Sequence, residues 1–336
     1  MLSPTNKNYR PRRGHRLATL LLLLVWLASL GLLALNRQNI FDWWELRQYQ
    51  PPAAVSALAS QDTMTAYGRK IFYVNHPVIE TKSAFAGVCP SGSREQTIVL
   101  GCYHAGQSGI FLLGVDDPRL DGVQQVTAAH EMLHGAYDRL SGTERKKVDA
   151  MLLDYYNNGL HDQRVLNTIA AYRKSEPNDL VNEMHSVFGT EIAQLPAGLE
   201  QYYKRYFTNR GQVAAYAAQY QAEFTSRQAV ISQDDAQLAA LKAQIDNIKS
   251  DLQSKQADIS ARQSQLLSQK NSGDIAAYNA GVPGYNNLID AYNNEVQTIR
   301  SLTDQYNQLV AARNAVALEQ NQLVKDLSND TTPIQQ

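Results

Sequence analysis

The chain has 336 residues, enough for two or three units, and its 44% hydrophobic content excludes a wholly disordered polymer. Lys and Arg total 31 against 32 Asp and Glu, a formal net charge of −1, so no general basic field exists to attract nucleic acid. Cys89 and Cys102 are the only cysteines and form no Cys-x-x-Cys ligand pair, which excludes a zinc finger. In an oxidising compartment they would close a short disulfide loop around Pro90-Ser91-Gly92-Ser93; two buried thiols is the other reading.

Leu17 to Leu35 reads LATLLLLLVWLASLGLLAL, an uncharged run long enough as a helix to cross most of a hydrocarbon core about 30 Å thick. Lys7, Arg10, Arg12, Arg13 and Arg16 precede it without an accompanying acid, whereas Arg37 and Arg47 beyond it are offset by Asp42 and Glu45. The positive-inside rule then expects a single-pass protein of the plasma (inner) membrane, with a cytoplasmic N-terminus and the rest extracytoplasmic. A cleaved signal peptide would have a shorter apolar region and a small-x-small cleavage site, which Ala34-Leu35-Asn36 does not supply, so the run is expected to stay as an anchor. Trp43 and Trp44, with Ile40 and Phe41, stand where an interfacial aromatic belt would be, or else belong to the core of the next domain.

The chain is therefore divided into a basic tail (1–16), a transmembrane helix (17–35), a juxtamembrane linker (36–60), a mixed domain (61–212), a helical hairpin (213–328) and a C-terminal tail (329–336). The expected fold class is α+β and helix-rich. Ile71–Val74, Thr97–Leu100 and Gly109–Val115 read as strands because they are short, β-rich and bounded by turn residues. A helix is expected from Val123 to Leu140, stopped by Ser141-Gly142, with later breaks near Asn157–Gly159, Glu176-Pro177 and Pro196–Gly198. From Val213 the composition turns to Gln, Ala, Asn and Ser with apolar residues at heptad spacing. Leu238, Ile245, Leu252, Ile259 and Leu266 mark one run and Leu288, Leu302, Leu309, Val316 and Leu323 a second. With the breaker-rich Asn271–Gly284 between them they predict an antiparallel coiled-coil hairpin. Polar interruptions at Lys255, Arg262, Glu295 and Arg313 are either register devices or a surface for a partner helix.

Inside the helix after Val123 the sequence reads Ala129-His130-Glu131-Met132-Leu133-His134-Gly135. His130 and His134 lie one turn apart on one face, the separation at which two imidazoles bind a single Zn²⁺. Glu131 sits about 100° round the helix, placed to take a proton from a water on that ion. A third protein ligand is required, and Glu183, in Asn182-Glu183-Met184-His185-Ser186, is the preferred donor; Glu176, Asp179, Glu191, His161 and His185 compete. Asp138 continues the histidine stripe but lies too far along to reach the same ion, and reads as an outer or surface acid. Tyr172, His185, Tyr202, Tyr203 and Tyr206 are all options for a donor to an oxyanion.

These residues resemble the gluzincin zinc metallopeptidases, in which an H-E-x-x-H helix is completed by a glutamate from a later helix. Asn182-Glu183-Met184-His185-Ser186 is similar to that second motif, as are Asp138 after the second histidine and Phe188-Gly189-Thr190 after the glutamate. The gap from His134 to Glu183 is longer than in thermolysin-like members, and Val187 stands where they carry an acid. The resemblance implies a zincin-like fold over roughly residues 95–195, and an extended peptide substrate held at a sheet edge, for which Gly109–Val115 is the candidate. The resulting expectation is a membrane-anchored, zinc-dependent endopeptidase acting on extracytoplasmic protein or peptide substrates. It has Glu131 as base, His130, His134 and Glu183 as ligands, and a possible envelope partner along the coiled coil. An envelope scaffold working through its coiled coil, with a silent zincin domain, is the alternative.

Overall fold

The computed structural model of the chain describes residues 13–89 and 99–328, residues 13–17 by backbone alone. The basic tail up to Arg12, the Pro90–Ser93 turn, Thr97, Ile98 and the 329–336 tail lie outside the described residues. The described chain is helix-rich with a small three-stranded sheet, and it divides into two compact units. One takes the chain up to Ile79 together with Gly101–Leu112 and Thr127–Val213; the other takes Glu80–Leu100, Leu113–Val126 and the chain from Ala214 onward.

The first unit begins with α1 (Arg13–Leu35) and α2 (Arg37–Leu46). Among the described residues, one helix is long and apolar enough to cross a membrane: the 18 residues Ala18–Leu35 have a mean hydropathy of 2.5 and none is buried. Residues 36–60, expected as a linker, are mostly helical, forming α2 and α3 (Ala53–Gln61), and Val55, Leu58 and Ala59 enter the core. Next comes α4 (Ala66–Val74), a helix where the composition of Ile71–Val74 predicts a strand. One local and one non-local fact overrule the β-rich composition there. Thr65 caps the helix by accepting the Gly68 N–H at 3.0 Å, and Gly68 lies so close to the Tyr206 backbone that a Cβ would stand 2.5 Å from its carbonyl oxygen. Gly68, Ile71, Phe72 and Val74 are buried as a helical stripe.

The sheet contains β1 (Val78–Glu80), β2 (Gly101–His104) and β3 (Gly109–Leu113) in the order β1-β3-β2. β2 and β3 pair antiparallel, Gly101 opposite Leu112 and His104 opposite Gly109. β3 matches the expected Gly109–Val115 strand, but it is central and so offers no free edge. Val99 and Leu100 are not in a strand; the adjacent β2, starting at Gly101, was not read from the sequence. Helix α5 (Lys82–Val88) falls in the second unit.

α6 (Val123–Asp138) follows, then α7 (Gly142–Asn158), which Ser141 and Glu144 start with a reciprocal capping box. α8 (Gln163–Ser175), α9 (Leu180–Glu191) and α10 (Ala197–Tyr203) complete the first unit, their ends matching the expected breaks. Its core joins Ala128, Ala129, Met132 and Leu133 of α6 to Val187 and Phe188 of α9.

The second unit is dominated by α11 (Arg210–Asn271), which starts in the first unit, and α12 (Ile275–Leu327), helices of 62 and 53 residues. The break between them is shorter than Asn271–Gly284. Gly273, at φ 82°, makes the turn, Asp274 caps the Ala277 N–H at 3.1 Å, and Pro283 lies inside α12. Proline forfeits one backbone hydrogen bond there, but the neighbouring arm packs closely: a Cβ at Gly281 would stand 2.8 Å from Leu266. Lys255 meets Glu295 at 2.7 Å and Arg313 meets Asp235 at 2.9 Å across the two helices. These pairings are those of an antiparallel hairpin, and three of the four polar interruptions, Lys255, Glu295 and Arg313, form ion pairs across it. Leu323 and Leu327 close on Leu120 and Val123 in a separate small core.

Candidate metal centre

α6 is buried on nearly every side, so its polar residues are set into an apolar rod rather than along a wet face. Its close packing depends on small residues. A Cβ on Gly189 of α9 would stand 2.4 Å from the Leu133 side chain, and one on Gly135 would meet Asn75 and Ile71 at 3.2 Å. The first of these approaches lays α9 against α6 and brings Glu183, in the first turn of α9, to the two histidines.

Glu183 Oε2 is 3.6 Å from His130 Nε2, and its Oε1 is 3.4 Å from His134 Nε2. One ligand atom from each of the three residues fits within a mutual 4.8 Å. Such separations are long for hydrogen bonds. They are close to the ~3.3–3.4 Å expected between neighbouring ligand atoms of a tetrahedral zinc with bonds of ~2.0–2.1 Å. Two neutral imidazoles and one carboxylate, nearly enclosed by protein, form a donor set suited to zinc with one position left for water.

The surrounding charges act in the same direction. Burial would pull the His130 imidazolium down, but the neighbouring Glu183 carboxylate and the charges of Glu131 and Glu191 prevail and raise it to about 9. The site thus draws positive charge. Burial would raise Glu183, but His134, His130 and a hydrogen bond from Tyr172 together hold it below the usual carboxylate range. Its position in the first turn of α9 also favours negative charge. Glu131 moves the other way: burial raises it, the nearby Glu183 adds to this, and the imidazoles and a hydrogen bond from the Tyr103 backbone oppose it. The two glutamates therefore differ in kind, one held ionised and the other made more basic.

Glu131 lies against β2. A Cβ on Gly101 would stand 2.7 Å from Glu131 Oε1 and 2.6 Å from the Thr127 methyl, so any larger residue there would displace those side chains. β2 is an edge strand of the sheet and β3 is not, so the edge beside Glu131 is Gly101–His104 rather than Gly109–Val115. Tyr103 on the same strand sets its ring parallel to His134, centroids 6.4 Å apart, and donates its hydroxyl to Asp138 at 2.9 Å. Asp138 is exposed, and it accepts the hydroxyl of the tyrosine whose ring faces His134.

The competing donors separate clearly. Glu176 and Asp179 form a second group with Glu183 but are both exposed, and His161 is exposed in the loop before α8. Glu191 pairs with Arg164. His185 is fully buried elsewhere, with Nε2 hydrogen-bonded to the Tyr202 hydroxyl at 2.9 Å, and burial depresses its pKa to about 3. Tyr202, Tyr203 and Tyr206 cluster around His185, leaving Tyr172 as the tyrosine that reaches the histidine–glutamate group. Gly101 and Tyr103 carried no sequence signal, since neither sits at a fixed spacing from the histidines. Both cysteines are disulfide-bonded.

Compared with known proteins, the chain matches no family model, no curated protein and no solved structure.

Proposed function

We propose that this protein is a membrane-anchored, zinc-dependent endopeptidase acting on extracytoplasmic proteins or peptides. The observation that carries the reading is the convergence of His130, His134 and Glu183 within a mutual 4.8 Å, with Glu131 buried on the next position of the same helix. A zinc ion held there would supply a Lewis acid that makes water more acidic and polarises a peptide carbonyl. Glu131, made more basic by burial, is the group that accepts the proton from attacking water and returns it to the leaving amine. β2, an edge strand of the sheet, runs beside Glu131, and an extended peptide can add along it as a further strand. Tyr172 hydrogen-bonds the Glu183 carboxylate, in the manner of an outer-sphere contact that orients a ligand.

Anchoring rests on the uncharged Ala18–Leu35 helix, and orientation on Lys7, Arg10, Arg12, Arg13 and Arg16 before it, which favour a cytoplasmic N-terminus. The disulfide-bonded state of Cys89 and Cys102 supports an oxidising compartment for the rest of the chain. A second reading draws on Leu267 and Leu318, which are 53% and 70% exposed on the long helices: these offer a partner surface, and the protein would then be a scaffold.

Metal content and cleavage of an unfolded-protein substrate, measured on the purified full-length protein, decide between them. Glu131→Gln should retain stoichiometric zinc and lose activity by ~10²–10⁴-fold, the usual contribution of a positioned base. Glu183→Gln should lose both zinc and activity. A wild type that binds zinc but cleaves no better than Glu131→Gln points to the scaffold.

A further inference from the structure

Helix α2 carries its polarity in the reverse sense for a helix on a water-facing domain. Gln38, Asp42 and Glu45 turn toward the rest of the first unit. Asp42, 2% exposed, receives Lys70 Nζ and Arg139 Nη2, each at 2.8 Å, while Gln38 bonds Asp42 at 2.9 Å and Gln107 at 3.1 Å. Glu45 meets His76 at 3.6 Å. The opposite face, at helical spacing, presents Ile40, Trp43 and Trp44, which are 45%, 61% and 60% exposed. Phe41 is half-buried and does not belong to that face.

Water is a poor partner for three large apolar side chains on a single ten-residue helix, and the charges at its end have a definite arrangement. The Arg47 guanidinium stands over both indoles, 4.6 Å from Trp44 and 5.7 Å from Trp43. Beside them an open pocket of about 260 Å³ is lined by Asn39, Asp42, Trp43, Leu46, Arg47 and Lys70. Its acid, Asp42, is already paired twice, so the charge left facing outward is cationic. The helix is also held in place relative to α1. Asn36 alone separates the two, and helical bonds run through it, from the Asn36 N–H to Leu32 and from the Ile40 N–H to Asn36, both at 3.0 Å.

We propose that the Ile40, Trp43, Trp44 and Arg47 face of α2 lies in the phospholipid headgroup layer of the bilayer that α1 crosses, with lipid phosphates against Arg47 and Lys70. The inference rests on reading α1 as a retained anchor. Tryptophan with a neighbouring cation at the end of an apolar span is the composition that the headgroup layer favours, since the indole presents an apolar body and a polar N–H together. The buried Asp42–Arg139 pair then ties this layer to the residue that follows α6, so the first unit is held against the membrane in one orientation rather than tethered loosely. Substrates would be reached at the membrane surface.

The chain contains three tryptophans, Trp26 within α1 and the pair on α2, so fluorescence can report each depth separately. Full-length protein is reconstituted into vesicles of phosphatidylethanolamine and phosphatidylglycerol whose acyl chains carry bromine either near the headgroup or near the bilayer centre. In Trp26→Phe protein, the α2 tryptophans should be quenched by shallow bromine at least about twofold more than by deep bromine, as interfacial residues are. In Trp43→Phe/Trp44→Phe protein, Trp26 should be quenched by deep bromine. Quenching of Trp26 without quenching of the α2 pair keeps the anchor and overturns the proposal, leaving a protein partner or a second copy as the occupant of the face. Loss of quenching at both depths overturns the anchor reading and the proposal together.

Discussion

The two units treat charge in opposite ways. In the first, Asp42, Asp62, Glu131, Glu183 and Arg210 are buried, each in a different state of compensation. Asp42 is doubly paired, Glu183 faces two imidazoles and a tyrosine, and neither carboxylate oxygen of Asp62 has a hydrogen-bond partner. In the second, the ion pairs of the long helices, Lys242–Asp246, Lys255–Asp251 and Arg313–Asp235 among them, sit at the wet surface. Similar carboxylates therefore have shifted proton affinities in one unit and form little more than surface ion pairs in the other, because the energy of a charge depends on how much water it has lost.

The largest break in this comparison should come from crowding the buried base. Gly101→Ala places a methyl 2.7 Å from Glu131 Oε1 and 2.6 Å from Thr127, so the base must move. Displacement of about 1 Å at a reacting group costs ~10²-fold in rate, so kcat on an unfolded-protein substrate should fall by that order while zinc is retained. Zinc loss together with activity would instead mean that the whole of α6 had shifted.

Tyr172→Phe removes a hydrogen bond to Glu183 but leaves the ring. Outer hydrogen bonds to metal ligands are worth ~10–100-fold in affinity, and competition with a chelator should show a loss in that range. Unchanged affinity would leave Tyr172 as core packing alone.

Asp62 sharpens the contrast through pH. Burial without a partner raises its pKa well above 3.8, so the folded state keeps a proton that the unfolded state has released. The unfolded state then binds fewer protons, and stability falls as pH rises from about the unfolded value toward the folded one. Thermal melts across that window should show this decline in the wild type and a flatter profile for Asp62→Asn. Parallel profiles would show that the carboxylate is hydrated.

The smallest effect belongs to the second unit. Lys255→Glu or Glu295→Lys alone should lower the melting temperature slightly, and the double exchange should recover part of the loss, the remainder being the repulsion between Asp251 and a glutamate at 255. Failure of the double exchange to recover any of it would show that the pair does not stabilise the hairpin.

Local spacing was enough for much of this. The i, i+4 histidines fall on one face of any helix, so His130, Glu131 and His134 are legible as a group from spacing alone, whereas Glu183 is the preferred one of several donors until the packing of α9 on α6 brings it to the histidines. The uncharged run from Leu17 to Leu35 and the two heptad series were equally local, since they depend only on what one helix does with its own side chains.

What periodicity could not decide were the approaches between distant segments. Ile71–Val74 has the composition of a strand and is a helix because Thr65 caps it and Tyr206 packs over Gly68, a residue far along the chain. Pro283 has the look of a breaker and lies within α12, with a neighbouring arm packed close at Gly281. β3 is the strand that composition picks out, yet strand order makes β2 the edge, and only the fold brings Gly101 against Glu131 and Tyr172 against Glu183. Each of these depends on which backbone comes near which, a property set by the packing of the whole unit, whereas a helical face is set by 3.6 residues per turn.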